Sequence, residues 1–290
     1  DVLDSIAEEC RGLPYLFPDF VERYGLDYWE RSMAAMERWT SLWTAEFAVR
    51  PFLLHDLDRM MAQMHVWSGH PDEHVRRLAS EGCRPRLPWG MGVPELKRDP
   101  SPILPILERL KDDPSAYVRR SVANNLNDIS KDHPEQVLRL LALWQGQDPR
   151  TDWVLRHGCR GLIRAAHPEA MARFGLNPVP DVRVEEWTIA PREVPWGGSA
   201  EIRYALRMPE GEAVKLRVEL AVFFVRPGGK TYRKLFKLSE KIPSPGTIVR
   251  GSRRHSFADL STRRHYPGVH RLSLIVNGQE AASDEVVLQP

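Results

Sequence analysis

The sequence predicts an α+β protein in two domains, an all-α solenoid of helical repeats over residues 1–178 and an antiparallel β-sandwich over residues 181–290. Helical periodicity runs almost without interruption up to about residue 175, and a short motif returns within it at solenoid-like spacing. After Pro178 and Pro180 the pattern changes to short alternating strands broken by Pro-Gly turns, which places the boundary near 175–182. A chain of 290 residues and 33.3 kDa fills two ordinary domains without disulfides or metals.

The helical segments are 72–83, 101–111, 115–129, 134–144, 152–165 and 168–174, with Pro71, Pro114, Pro134, Pro149 and Pro168 at or near their starts. Pro71 to Arg77 resembles Pro114 to Arg120, and Pro149 to Arg156 is a looser third copy. Their equivalent valines, Val75, Val118 and Val154, lie 43 and 36 residues apart, the period of HEAT-like helix pairs. Each pair has an apolar side for the next pair to cover, so the units stack around a broad inner face. An irregular all-α bundle is the alternative.

Strand-like runs follow at 182–189, 200–208, 214–225, 232–238, 270–276 and 284–288. In one of them Ile202, Tyr204, Leu206 and Met208 alternate with Arg203, Ala205 and Arg207, one face to the core and one to water. About seven short strands in some 110 residues suggest an immunoglobulin-like sandwich, although its Cys…Trp…Cys signature is missing.

Composition excludes several classes. Apolar residues at 42% and charged residues at 28% exclude wholesale disorder, and no apolar run approaches a membrane span. Cys10, Cys83 and Cys159 are too few and too far apart for a disulfide framework, so a reducing, cytoplasmic setting is expected, nucleoid-associated if the target is DNA. The chain opens at Asp1 without Met or a signal segment, and N-terminal trimming is expected. No coiled-coil heptads occur, so a monomer is expected. Phosphate-cradling glycine loops, metal-binding His-Glu-x-x-His and nucleophile elbows are absent from the sequence, and no cofactor or metal is called for; His65, His70 and His74 are a remote metal possibility.

Charge is uneven. Residues 1–180 carry 23 basic and 26 acidic side chains, whereas 181–290 carry 18 and 13. The stretch 226–271 holds twelve basic residues against two acidic ones, which suits a polyanion. Its segment 242–264, with Arg250, Arg253, Arg254, Arg263 and Arg264, reads as a loop, and it becomes the expected DNA-facing segment if the polyanion is DNA.

Polar residues concentrate on the repeat helices. Arg120, Asn124 and Asp128 follow one face, with Lys131 just beyond, while Val118, Val122, Leu126 and Ile129 form the packing stripe. Arg77, Glu81 and Arg84 share another face, followed by Arg86 and Trp89; Glu46 and Arg50 are spaced i, i+4, and the third copy offers His157, Arg160 and Arg164. Arginines suit phosphate oxygens, but carboxylates repel them. Acids among those arginines therefore point either to ion pairs that order the solenoid or to chemistry on a cationic target.

The segments Glu46 to Phe52, Arg76 to Trp89 and Val118 to Pro134 closely resemble the AlkC branch of the HEAT-like DNA alkylation repair glycosylases. The likeness covers most of residues 26–175, and some members of that branch also carry a C-terminal immunoglobulin-like domain. It implies a monofunctional glycosylase that hydrolyses the N-glycosidic bond of 3-methyladenine and 3-methylcytosine in duplex DNA without base flipping. Its catalytic acids fall on Glu46, Glu81 and Asp128, with Asp128 foremost. Trp89 falls near the lesion, and Arg50, Arg77, Arg84, Arg86 and Lys131 fall in the cleft. Arg120, Asn124, His157 and Arg160 are further expected DNA contacts. The rival reading is a non-enzymatic repeat scaffold that binds DNA or a protein.

Overall fold

A computed structural model of the protein describes residues 13, 15–261 and 263–290. Among these, twelve α-helices precede eight strands, and the chain divides into two compact units between Gly161 and Leu162. The helices are α1 (Leu16–Tyr24), α2 (Trp29–Trp39), α3 (Val49–His55), α4 (Leu57–Trp67), α5 (Glu73–Gly82), α6 (Pro94–Arg98), α7 (Leu104–Leu110), α8 (Ala116–Ile129), α9 (Pro134–Trp144), α10 (Pro149–Gly158), α11 (Arg160–Arg164) and α12 (Pro168–Arg173). The segment 152–165, expected as one helix, breaks at Cys159 into α10 and α11.

The repeated motif starts α5, α8 and α10. Each start is capped by a side-chain oxygen, Asp72 accepting from His74 N, Ser115 from Tyr117 N and Asp148 from Arg150 N. Val75, Val118 and Val154 are all buried, and α8 packs against α5 on one side and α10 on the other. Arg76 and Arg119 occupy the same repeat position and do the same work. Each donates to the two carbonyls before its own helix, His70 and Pro71 for Arg76, Asp113 and Pro114 for Arg119. Arg76 also forks onto buried Asp113 at 2.7 and 3.1 Å, tying the first copy to the second. Ser80 Oγ donates to Ser121 Oγ at 2.7 Å, and Asn125 Nδ2 donates to Ser80 O at 2.8 Å, so the α5–α8 seam is polar as well as packed.

The second unit is a two-sheet sandwich. One sheet has the order β1-β3-β6 (Arg183–Ala190, Ser199–Arg207, Ile248–Ser256). The other has the order β2-β8-β7-β4-β5 (Glu193–Val194, Gln279–Leu288, Gly268–Val276, Leu216–Val225, Thr231–Lys241). Ile202, Tyr204 and Leu206 on β3 face Val218, Leu220 and Val222 across the core, as the alternation predicts. Strand β4, flanked on both edges, is buried on both faces; it reads as an unbroken apolar run from Leu220 to Val225, and its charged pair Arg217–Glu219 is buried and bonded together.

Residues 162–178 group with the sandwich. Asn277 Nδ2 donates to Asn177 O at 2.7 Å, Lys215 Nζ donates to Phe174 O at 3.3 Å, and a Cβ on Gly278 would meet Ala166.

The segment 242–264 is not one loop. Its middle is β6, fully paired to β3 from Ser256↔Ser199 to Ile248↔Arg207. The strand was illegible because Gly251, Arg253 and His255 hold its inward positions. Gly251 is required there, since a Cβ would lie 2.5 Å from the Tyr204 ring. Arg253 lies over the Phe236 ring at 4.7 Å. Arg250 and Arg254 point outward on a sheet face, not a loop, where Arg254 lies opposite Glu201 of β3 and where Arg203 and Arg207 pair with Glu201 and Glu185. Arg263 packs over the Phe224 ring at 4.3 Å, while Arg264 is exposed.

Candidate active site

Three structural elements deliver the acids: the turn before α3 (Glu46), the last turn of α5 (Glu81) and the last turn of α8 (Asp128). Gly82 allows the first approach, because a Cβ there would come within 2.6 Å of Val49 and 2.8 Å of Met64. The end of α5 can therefore lie against α3 and α4, beside the turn that holds Glu46. The polar α5–α8 seam then sets Asp128 next to the loop leaving α5.

These elements build a row in which acid and base alternate: Glu46, Arg77, Glu81, Arg84, Asp128, Lys131. Arg77 Nη1 bonds Glu46 Oε2 and also donates to Thr44 Oγ1 at 2.6 Å. Its Nη2 lies 3.5 Å from Glu81 Oε1. Arg84 spans the next gap, donating from Nη1 to Glu81 Oε1 at 2.5 Å and from Nε to Asp128 Oδ2 at 2.8 Å. Lys131 Nζ ends the row at 3.0 Å from Asp128 Oδ1.

In this partly dry row each carboxylate lies beside a cation that offsets the cost of its burial. Arg84 feels both sides of this balance. Burial pulls its pKa down, but Glu81 and Asp128 together outweigh burial and hold it above the ordinary value. Asp128 is paired on both carboxylate oxygens. Its side chain is 3% exposed, covered by Arg84 and by a Lys131 side chain that is itself 49% exposed. Of the two cations on Asp128, Lys131 on Oδ1 is the more exposed and Arg84 on Oδ2 the more buried.

The remaining expected residues divide. Arg86 forks onto Asp132 at 2.9 and 2.6 Å on the open surface. Trp89 is 99% exposed and sits at φ +62°, a left-handed conformation that costs a non-glycine residue about 1 kcal/mol or more. Arg160 Nη2 donates to Asn124 Oδ1 at 3.0 Å, and His157 stacks face to face on Trp153 at 5.2 Å. Burial first, and then Arg160 and Arg120, lower the His157 pKa. Arg120 is exposed on the same helix as Asp128.

Arg50 requires a correction. It was expected in the cleft, on one helical face with Glu46. Glu46 lies before the helix begins and turns to Arg77 instead, while Arg50 is completely buried and donates to three backbone carbonyls. No phosphate can reach it there.

Side chains outside the expected set also contribute. Thr44 donates to Glu46 Oε2 at 2.9 Å, with no sequence signal beyond proximity. Tyr117 lies under the Arg77 guanidinium at 5.2 Å and meets His74 edge-on. Its seven-residue spacing from Asn124 on α8 was a usable signal, as was the i, i+4 spacing of Trp153 and His157. The buried Cys83 and Cys159 are free thiols, each pushed up to about 12 by burial, while Cys10 lies outside the described residues. Among the described residues, no helix is long and apolar enough to cross a membrane.

Residues 16–174 match the family described as DNA alkylation repair enzyme. The chain belongs to that family. Within it, the acid–base row lies on the helical unit that defines the DNA alkylation repair enzymes, and residues 183–290 match a separate family, the C-terminal Ig-like domain of the uncharacterised protein YhaZ. The uncharacterised protein YhaZ of Bacillus subtilis (strain 168) is 46% identical over 279 residues, which is 96% of this chain and 78% of that protein. The alkylpurine DNA glycosylase AlkC of Pseudomonas fluorescens, solved bound to DNA containing an abasic site analog, is 40% identical. It superposes with a TM-score of 0.92 over 96% of this chain and 77% of that one.

Proposed function

We propose that the protein is a monofunctional DNA glycosylase that hydrolyses the N-glycosidic bond of cationic alkylated bases, 3-methyladenine and 3-methylcytosine, in duplex DNA. The observation that carries this reading is the row of three carboxylates set among arginines, in a chain 40% identical in sequence to an alkylpurine glycosylase over 96% of its length.

Methylation at N3 gives the base a positive charge, so it leaves without protonation. As the C1′–N bond breaks, its electron pair neutralises the base and positive charge grows on the deoxyribose. Asp128, backed by Glu81, stabilises that oxocarbenium-like sugar electrostatically. The same carboxylate orients a water, which forms the C1′–O bond and gives up its proton to the carboxylate. Neither role calls on a metal or cofactor. A neutral base lacks the first advantage, so selectivity comes from the lesion's own charge.

The damaged nucleotide stays in the stack in this reading. The acids form a line along a helical layer, suited to approach from the sugar side, whereas flipping enzymes enclose the extruded base. Arg77 and Lys131 would release toward phosphates as the backbone arrives. The outward sheet face of the sandwich adds phosphate contacts through Arg250 and Arg254.

The test is incubation with methylated duplex DNA and analysis of what is released. Free 3-methyladenine and 3-methylcytosine, with no protein–DNA adduct trapped by borohydride, are expected. Duplex binding without base release would leave a non-enzymatic scaffold.

A further inference from the structure

Arg50 has no place among phosphate ligands, yet it is the most expensive kind of residue to bury. It is 0% exposed, and the groups acting on its charge are the Cys83 thiol and the Arg84 guanidinium. Among the described residues no carboxylate forms an ion pair with it. Burial accordingly lowers its pKa to about 10. An unpaired buried cation is strongly unfavourable unless its hydrogen bonds compensate.

Those hydrogen bonds all go to one loop. Nη1 donates to Gly82 O at 2.7 Å and to Arg84 O at 3.0 Å, where the chain leaves α5. Nε donates to Met91 O at 2.7 Å, where the loop ends. The planar fork thus clasps both ends of residues 82–91. That loop carries Arg84, the bridge between Glu81 and Asp128, and Trp89, fully exposed at a strained backbone angle.

The geometry points to Arg50 as a positioning residue for base excision: by clasping the ends of loop 82–91 it fixes Arg84 between the two acids and holds Trp89 outward. This deepens the glycosylase reading and rests on it. A lysine keeps the charge but replaces a rigid fork by a single nitrogen, which cannot satisfy carbonyls at both ends in the same directions.

The experiment compares the full chain with Arg50→Lys and Arg50→Met, using amide hydrogen exchange together with single-turnover excision and binding to an abasic-analog duplex. Arg50→Lys is expected to melt cooperatively and to exchange faster at Arg84, Arg86, Leu87 and Trp89 to Met91, while the amides of α8 and α9 stay protected. Its excision rate per folded molecule should fall roughly 10- to 100-fold, the usual cost of misplacing reacting groups by about 1 Å. Duplex affinity should change less than the rate. A role confined to stability predicts the reverse, uniformly faster exchange with normal excision by the folded fraction. Unchanged exchange in the loop, or an unchanged rate, would overturn the assignment. If Arg50→Met does not fold, Arg50→Lys alone decides. Absence of excision by the unmodified protein would defeat the glycosylase reading, and the exchange data would still decide whether Arg50 clasps the loop.

Discussion

Arg84 donates from Nε to Asp128 Oδ2 at 2.8 Å, across 44 residues of sequence. This contact joins the loop after α5 to the last turn of α8, and it turns two local ion pairs into one continuous row. Asp128 is therefore held in a fixed orientation, with Arg84 on one carboxylate oxygen and Lys131 on the other.

Replacing Asp128 by Asn keeps the shape and removes the charge. The variant should fold with normal helical content and lose at least about 100-fold in excision rate, corresponding to roughly 3–4 kcal/mol of transition-state stabilisation. Circular dichroism and single-turnover kinetics check the two halves. A well-folded variant with near-normal rate would remove Asp128 from the mechanism.

Asp113 provides the contrast. It is as buried as Asp128 and just as firmly paired, but its partner Arg76 serves the repeat seam. Asp113→Ala should cost about 3 kcal/mol, the low end for stripping one partner from a buried pair, because Arg76 keeps some contact with water. Excision per folded molecule should be unaffected. Urea unfolding beside kinetics separates these effects.

Much of the helical unit was legible because its rules are local. Val75, Val118 and Val154 mark equivalent buried positions, and Asp72, Ser115 and Asp148 cap the helices they precede. Within the site, the i, i+4 pair Arg77–Glu81 and the i, i+3 pair Asp128–Lys131 were readable for the same reason. What joins them was not. Glu46 reaches Arg77 across 31 residues, and the acceptors of Arg50 are backbone carbonyls 32 to 41 residues away. A carbonyl leaves no trace in composition, so a buried arginine reads like a phosphate ligand. Strand β6 was hidden because arginine and histidine hold inward positions that usually carry aliphatic residues.

Those inward residues make the sandwich sensitive to acid. Burial first, and then Arg253 and Arg263, lower the His255 pKa to about 3, and burial also lowers His265 and His270. A histidine with an ordinary pKa near 6.5 takes up a proton in the unfolded chain long before the folded one does. Stability is therefore complete above about pH 6.5 and is lost as pH falls toward 3, by about 1.4 kcal/mol per unit for His255. Urea unfolding from pH 7 to 4.5 should show this slope, and His255→Phe, which keeps a ring beside Phe236 and Phe257, should flatten it.

The sheet face that carries Arg250 and Arg254 makes a prediction about salt. If Arg250 and Arg254 each neutralise a phosphate, replacing both by Gln should reduce the slope of log affinity against log salt by about 2. The loss should be the same on damaged and undamaged duplexes. An unchanged slope would mean that this face does not meet DNA.

The account depends most on a carboxylate that waits for a positive sugar, and a duplex carrying a cationic pyrrolidine in place of one deoxyribose tests that directly. Affinity for this site is compared with that for a neutral tetrahydrofuran site, in the unmodified protein and in Asp128→Asn. The account predicts tighter binding of the cationic site by at least about 10-fold in the first and little or no preference in the second. Equal affinity of the unmodified protein for both sites would contradict it.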